Sequence, residues 1–211
     1  MKRHDHAHRL IRSGKSIFTL IIMLAMISCG RPTTDNQQTV AEELIPDSVY
    51  ESEGNRIVAV TFDTLRNSLL HTISSHGIDS AIKFCNENAY ELTTTYADSV
   101  TIRRTAMRYR NPENKPDSLE QFVLGEVNSK IKSGTLSDLK VVRRTNSGEI
   151  HFFKPILLQP MCLNCHGKPG TEIQPSTLAR IQDLYPDDRA TNFSQGDLRG
   201  MWHITFTSDE K

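Results

Sequence analysis

Between residues 48 and 75 the apolar positions Val58, Phe62, Leu65, Leu69 and Ile73 recur at steps of four, three, four and four, which predicts one stripe of a long amphipathic helix. Gly77 is expected to stop it. Ile78, Ile82, Cys85, Ala89 and Leu92 then repeat the spacing, predicting a second helix with Cys85 on its buried stripe. Residues 100–104 are β-branched enough for a short strand, and residues 110–117, with two prolines, read as a loop. A third helix is expected over 117–132, with Leu119, Phe122, Val123, Val127 and Ile131 on one side and Gly134 at its end. Runs 139–144 and 150–157 flank Asn146-Ser147-Gly148 and predict a hairpin, in which Pro155 demands an edge position or a bulge. A short helix over 176–184, closed by Tyr185-Pro186, and a strand over 201–207 complete the series. Helices first, strands later and no regular alternation predict an α+β domain with an antiparallel sheet.

The first 28 residues follow a different pattern. Lys2, Arg3, Arg9, Arg12 and Lys15 precede an apolar-dominated run of eleven residues, 17–27. That run is shorter than the about 20 residues a membrane-spanning helix requires, and its length suits a secretory signal peptide. Ser28-Cys29 resembles the small-residue–cysteine junction of bacterial lipoproteins, so residues 1–28 are expected to be removed and Cys29 to carry lipid. The plainer alternative is an ordinary secretory peptide followed by a chance cysteine. Residues 29–47 are polar and turn-forming, as in a flexible tether, and 48–211 form the expected folded domain. The chain is expected to be exported and held at the cell membrane or outer membrane, facing the periplasm.

Removing that segment changes the charge balance. The whole chain has 25 basic and 25 acidic residues; without the five basic and one acidic residue of the leader, 20 basic face 24 acidic, a net charge near −4. An acidic domain lacks the basic surface that would drive nucleic-acid binding. With 37% apolar and 24% charged residues the chain is neither collagenous, nor wholly disordered, nor a polytopic membrane protein.

Cys162-Leu163-Asn164-Cys165-His166 is the C-x-x-C-H attachment sequence of haem c. Two thiols three positions apart can reach the two vinyl groups of one porphyrin, and the adjacent imidazole lies beneath the iron. One covalent haem c, bonded through Cys162 and Cys165 with His166 as proximal ligand, is therefore expected. A zinc site would require two further ligands at short spacing, and no second C-x-x-C or H-x-x-x-H occurs. A thioredoxin-like disulfide would place its cysteine at a helix start after a strand, whereas Gln159-Pro160-Met161 precedes this motif. A structural disulfide leaves His166 unexplained.

Cys85 is then the unassigned thiol in an oxidising compartment. It is either a small buried apolar residue, common for free cysteine, or the second axial ligand of the iron. Its rivals for that position are His71, His76, His151, His203, Met107, Met161 and Met201, with His151 and His203 expected to face solvent on their strands. Arg103, Arg104, Arg108 and Arg110 form either a solvated basic face or a set of partners for haem propionates or another anion. Strand alternation turns Arg103 and Arg104 to opposite sides, so at most some of the four can serve one site. Arg103 and Arg104 are carried forward as propionate contacts.

Ala81-Ile82-x-x-Cys85, Arg103-Arg104-Thr105, Arg110-Asn111-Pro112-x-Asn114-x-Pro116-Asp117, Pro155-Ile156, Cys162-Leu163-x-Cys165-His166-Gly167, Tyr185-Pro186-x-Asp188 and Gly196-Asp197-Leu198-Arg199-Gly200 together resemble a family of bacterial single-haem c-type proteins with a PAS-like fold. The resemblance spans residues 48–208. It implies a PAS-like antiparallel sheet preceded by long helices, with His166 and Cys85 as the axial pair. Three positions depart from the pattern: Tyr90 replaces a proline, Ala106 a serine and Asn192 a glycine. Two functions fit, a redox-sensing or signalling protein with a protein partner and a low-potential one-electron carrier at the membrane surface. An enzyme is disfavoured, because no distal acid/base pair accompanies the haem motif.

Overall fold

The computed structural model describes residues 45–94, 100–139 and 141–207. The signal peptide, Cys29 and nearly all of the tether lie outside the described residues. Among these residues no helix is long and apolar enough to cross a membrane.

Helix α1 runs Asp47–Asn88 and contains one break, at Gly77, whose φ of 81° and ψ of 173° interrupt the helical path. Glycine is the residue that adopts this backbone without a Cβ clash, so the predicted stop appears as a sharp bend between two helical segments. A short α2 (Glu91–Thr94) follows, then β1 (Val100–Thr105), α3 (Ser118–Ser133), β2 (Val142–Arg144) and β3 (Ile150–Leu157). The motif cysteines come next, on a single 3₁₀ turn (Pro160–Cys162) leading into the four-residue α4 (Leu163–His166), and α5 (Pro175–Leu184) and β4 (Leu198–Phe206) end the fold. Asp117 caps α3 in a reciprocal capping box with Glu120, and Gly134 closes it in the left-handed conformation at φ 72°.

The strands form one antiparallel sheet in the order β1-β4-β3-β2, the α+β architecture expected. Pro155 lies on an interior strand, yet β2 pairs only with residues 150–152, so no neighbour on that side needs its missing N–H. A register break sets Ile156 opposite Gly200 and Leu157 opposite Leu198, leaving Arg199 as the extra, bulged residue of β4.

Each face of the sheet is covered by one long helix. The first segment of α1 packs Ile57 and Val58 against Ile102, Phe152, Trp202 and Ile204. At Gly54 the helix comes so close that a Cβ would stand 2.4 Å from the Phe152 ring. The predicted stripe is thus rotated: Ile57, Val58, Thr61 and Leu65 are buried, while Phe62 is exposed. On the opposite face α3 packs Val123, Leu124 and Val127 on Phe153 and Met201. Phe122, expected on that side, is 68% exposed because Leu124 takes its place in the core.

His151 and His203 do not face solvent; both are buried beneath α3. The fully buried Glu120 carboxylate accepts from His203 Nδ1 at 2.7 Å, which leaves His203 Nε2 to accept from His151 Nδ1 at 2.9 Å. Buried His151 Nε2 has no partner. Burial, reinforced by His203 and opposed by Glu149 and Asp117, lowers the His151 pKa below 6.5. Burial alone would raise the Glu120 carboxyl, but hydrogen bonds from His203 and the Asp117 N–H, with the Arg103 charge, hold it below 4.5. Both folded-state values are depressed, so the unfolded chain binds more protons and stability falls with acidification. The His151 contribution is complete above about pH 6.5 and is lost toward its lower folded value; that of Glu120 is lost below about 4.5. Urea midpoints measured from pH 8 to pH 4 should decline in that order, and His151→Gln should flatten the first limb. A midpoint independent of pH between 7 and 5 would contradict this assignment.

Candidate functional site

The bend at Gly77 places both segments of α1 along one cavity. Leu69, Leu70 and Ile73 before the bend and Ile78, Ala81 and Ile82 after it form an apolar wall around a space of about 310 Å³. Cys85 lies on the same helical run and lines that space; Cys162, Cys165 and His166 line it from the motif turn. All four sulfur- and nitrogen-bearing residues selected from the sequence therefore share one cavity, although Cys85 and His166 are far apart in the chain. Among the rival ligands, Met161 alone joins the lining; Met201 is in the α3 core, Met107 is exposed, and His151 and His203 are under α3. A larger groove of about 410 Å³ beside α3 carries no thiol or imidazole, so chemistry rather than size marks the site.

No disulfide joins Cys85, Cys162 and Cys165. Burial raises the Cys85 pKa, against the opposing charges of Arg104 and Arg110. Burial also pushes Cys165 up to about 11. His166 has its pKa well below 6.5, chiefly through burial and then through Arg199 and Arg110, and is a neutral imidazole. Its Nδ1 lies 2.7 Å from the Ala190 carbonyl. A carbonyl only accepts, so Nδ1 carries the proton and Nε2 keeps a free lone pair, the arrangement that orients a metal-binding imidazole.

A buried ion pair fixes this turn. Arg110 donates to both carboxylate oxygens of Asp188, at 3.0 and 3.3 Å, and to the carbonyls of Cys165 at 2.7 Å and Ala190 at 3.3 Å. The residue that supports the His166 hydrogen bond is thus itself held by Arg110. Farther along, the Asn192 N–H donates to Gly167 O at 2.7 Å and the Phe193 N–H to His166 O at 3.0 Å. Asn192 has φ 59°, the left-handed conformation; this explains why the resembled pattern has glycine there, and asparagine is the side chain that tolerates it best.

The arginines separate as strand alternation requires. Arg104 and Arg110 line the cavity, whereas Arg103 does not: it faces the α3 side, pairs with Glu120 at 3.5 Å and donates to the Glu113 and Lys115 carbonyls. Arg103, expected as a propionate contact, is therefore turned away from the cavity. Arg108 covers the Phe193 ring at 3.9 Å and bonds the Arg189 and Thr191 carbonyls. The cavity also contains Arg199, which the sequence reading left without a role. Burial, and then the Arg110 and Arg104 charges, bring its pKa down to about 9. Its sequence signal was its place in the Gly196-Asp197-Leu198-Arg199-Gly200 run, but the bulge that redirects it is a feature of the β3–β4 pairing.

No curated protein matches the chain. The crystal structure of the cyanobacterial haem protein Tll0287 aligns with 79% of this chain and 99% of that one, at 24% identity and a TM-score of 0.48. The Tll0287-like family model matches residues 21–207, through both segments of α1, the motif turn and every strand of the sheet. This chain belongs to the Tll0287-like family.

Proposed function

We propose that the protein binds one haem c, is exported and lipid-anchored through Cys29, and serves a redox-sensing or signalling role rather than an enzymatic one. The observation carrying this reading is the convergence of Cys85, Cys162, Cys165 and His166 on one apolar-walled cavity. The residues fit the group: two thiols on one turn, an imidazole with Nε2 free, a third sulfur on the facing helix and cationic side chains at the same cavity. Cys162 and Cys165 would hold the cofactor by adding their S–H groups across its two vinyl groups, and His166 Nε2 and Cys85 Sγ would be the axial ligands. When bound, haem supplies one-electron exchange between ferric and ferrous iron.

The protein's own contribution is positional. Ala190 O fixes the His166 tautomer and ring direction, Arg110 fixes Ala190 and the Cys165 carbonyl, and α1 supplies an apolar wall. A residue able to hold iron in each wall, Cys85 in α1 and His166 in the motif turn, favours the second reading, a low-potential one-electron carrier, because iron held by both would have no position left for a substrate.

The covalent reading is tested by denaturation. Protein produced in cells that attach haem c should keep its haem through acid–organic extraction, and Cys162→Ser/Cys165→Ser should lose it. Extraction of all haem from the wild type would refute the assignment. Rapid CO or NO binding to the reduced wild type supports sensing; fast exchange with a soluble cytochrome without gas binding supports electron transfer.

A further inference from the structure

Two half-buried cationic side chains beside the motif turn each carry a buried donor without an acceptor. Arg104 and Arg199 line a pocket of about 160 Å³ that adjoins the main cavity and also includes Thr105, Asn114, Cys162 and His166. The Nε atoms of both arginines are buried without a hydrogen-bond partner. Neither side chain is loose: Arg104 Nη2 donates to Ala89 O at 3.2 Å and Arg199 Nη1 to Arg108 O at 3.1 Å. Asp188, whose charge acts on Arg199, is committed elsewhere, since both its oxygens accept from Arg110. A cation held partly out of water with no counter-charge is unfavourable, and a buried N–H donor without an acceptor adds to it. Such a pair calls for an anion with several acceptor oxygens, which guanidinium groups match in geometry as well as charge.

We propose that Arg104 and Arg199 form the carboxylate-binding end of the cofactor site, taking the propionate groups of the bound haem and setting its orientation over His166. This rests on the haem reading and assigns to Arg199 and Arg104 the role expected of Arg103 and Arg104 from strand position alone. The bulge at Arg199 is the structural device that turns the side chain to this end of the sheet. Arg103, paired with Glu120 under α3, cannot contribute.

The test uses the holoprotein with Arg104→Gln, Arg199→Gln and the charge-conserving Arg199→Lys. Covalent haem after denaturation, midpoint potential and the propionate bending vibrations in resonance Raman are each measured. Haem stays attached in all three variants. Removing a cation next to the iron disfavours the ferrous state, so each glutamine variant should shift the ferrous/ferric ratio about tenfold at a fixed ambient potential, roughly 59 mV downward for one electron. The propionate bands should move in all three variants, and Arg199→Lys should keep most of the potential. Unchanged bands and potential in the glutamine variants would overturn the proposal. So would a wild-type potential that shifts on adding inorganic phosphate, loses that response in Arg199→Gln and leaves the propionate bands unmoved, because the pocket would then take a free anion. If the glutamine variants do not fold, the bands of Arg199→Lys decide, since lysine keeps the charge and lacks Nε. Wild-type protein without covalent haem would instead refute the haem reading.

Discussion

Cys85→Ala should abolish the thiolate signature of the ferric protein while leaving haem covalently attached. The wild type is expected to show a six-coordinate, low-spin optical and EPR spectrum with a sulfur ligand. In the variant the position is vacated, the potential rises because thiolate no longer donates electron density to the iron, and the reduced protein gains CO binding. The expectation rests on placement. Cys85 follows the Gly77 bend on the segment that packs through Ile82 on Ile173 and Ile181, with Cys165 against the same cluster. Thr177 Oγ1 donates to Asp79 at 2.8 Å, tying that segment to α5. Met161, which also lines the cavity, is 43% exposed and sits on the motif turn rather than on the α1 wall. Met161→Ala should therefore leave the spectrum unchanged. An unaltered EPR signature in Cys85→Ala would remove Cys85 from the coordination sphere.

Asp188→Asn should lower stability by about 3–5 kcal/mol, the range for breaking one partner out of a buried ion pair. The Arg110 and Asp188 side chains are only 9% and 8% exposed. Without the carboxylate, Arg110 stays buried among Arg104 and Arg199, and an amide nitrogen, itself a donor, faces the Arg110 Nη2 that now donates to Asp188 Oδ2 at 3.3 Å. The neighbouring Asp187 is exposed, and Asp187→Asn should change stability by no more than about 0.5 kcal/mol. Urea titration of the two holoproteins provides the comparison. Because Arg110 holds Ala190 O, and Ala190 O holds His166, Asp188→Asn should also broaden the haem spectrum at urea concentrations below the unfolding transition. Equal midpoints for the two variants would show that the pair does not stabilise the fold.

What could be read from the chain was local. The Gly77 break, the Asp117 start and Gly134 end of α3, and the positions of β1 and β3 all follow from backbone preferences and apolar spacing within a few residues. So did the attachment motif, whose chemistry lies in five consecutive residues. The same reasoning placed Phe62 and Phe122 in the core, and both are exposed. Spacing gives the period of a helical stripe but not its rotation, which the Gly54–Phe152 contact sets for α1 and the Leu124 packing sets for α3.

Element types, the α+β class, the C-x-x-C-H turn and the candidacy of Cys85 and Arg104 are all legible along the chain. That Cys85 and His166 share a cavity, that Arg103 belongs to Glu120, that His151 and His203 are buried in a chain of hydrogen bonds, and that Arg199 enters the site come from packing. The reason is range. Helix periods, caps and thiol spacing are fixed by neighbours along the backbone, whereas the direction of an arginine on a bulged strand, or the carboxylate 78 positions away that neutralises Arg110, depends on how the sheet pairs.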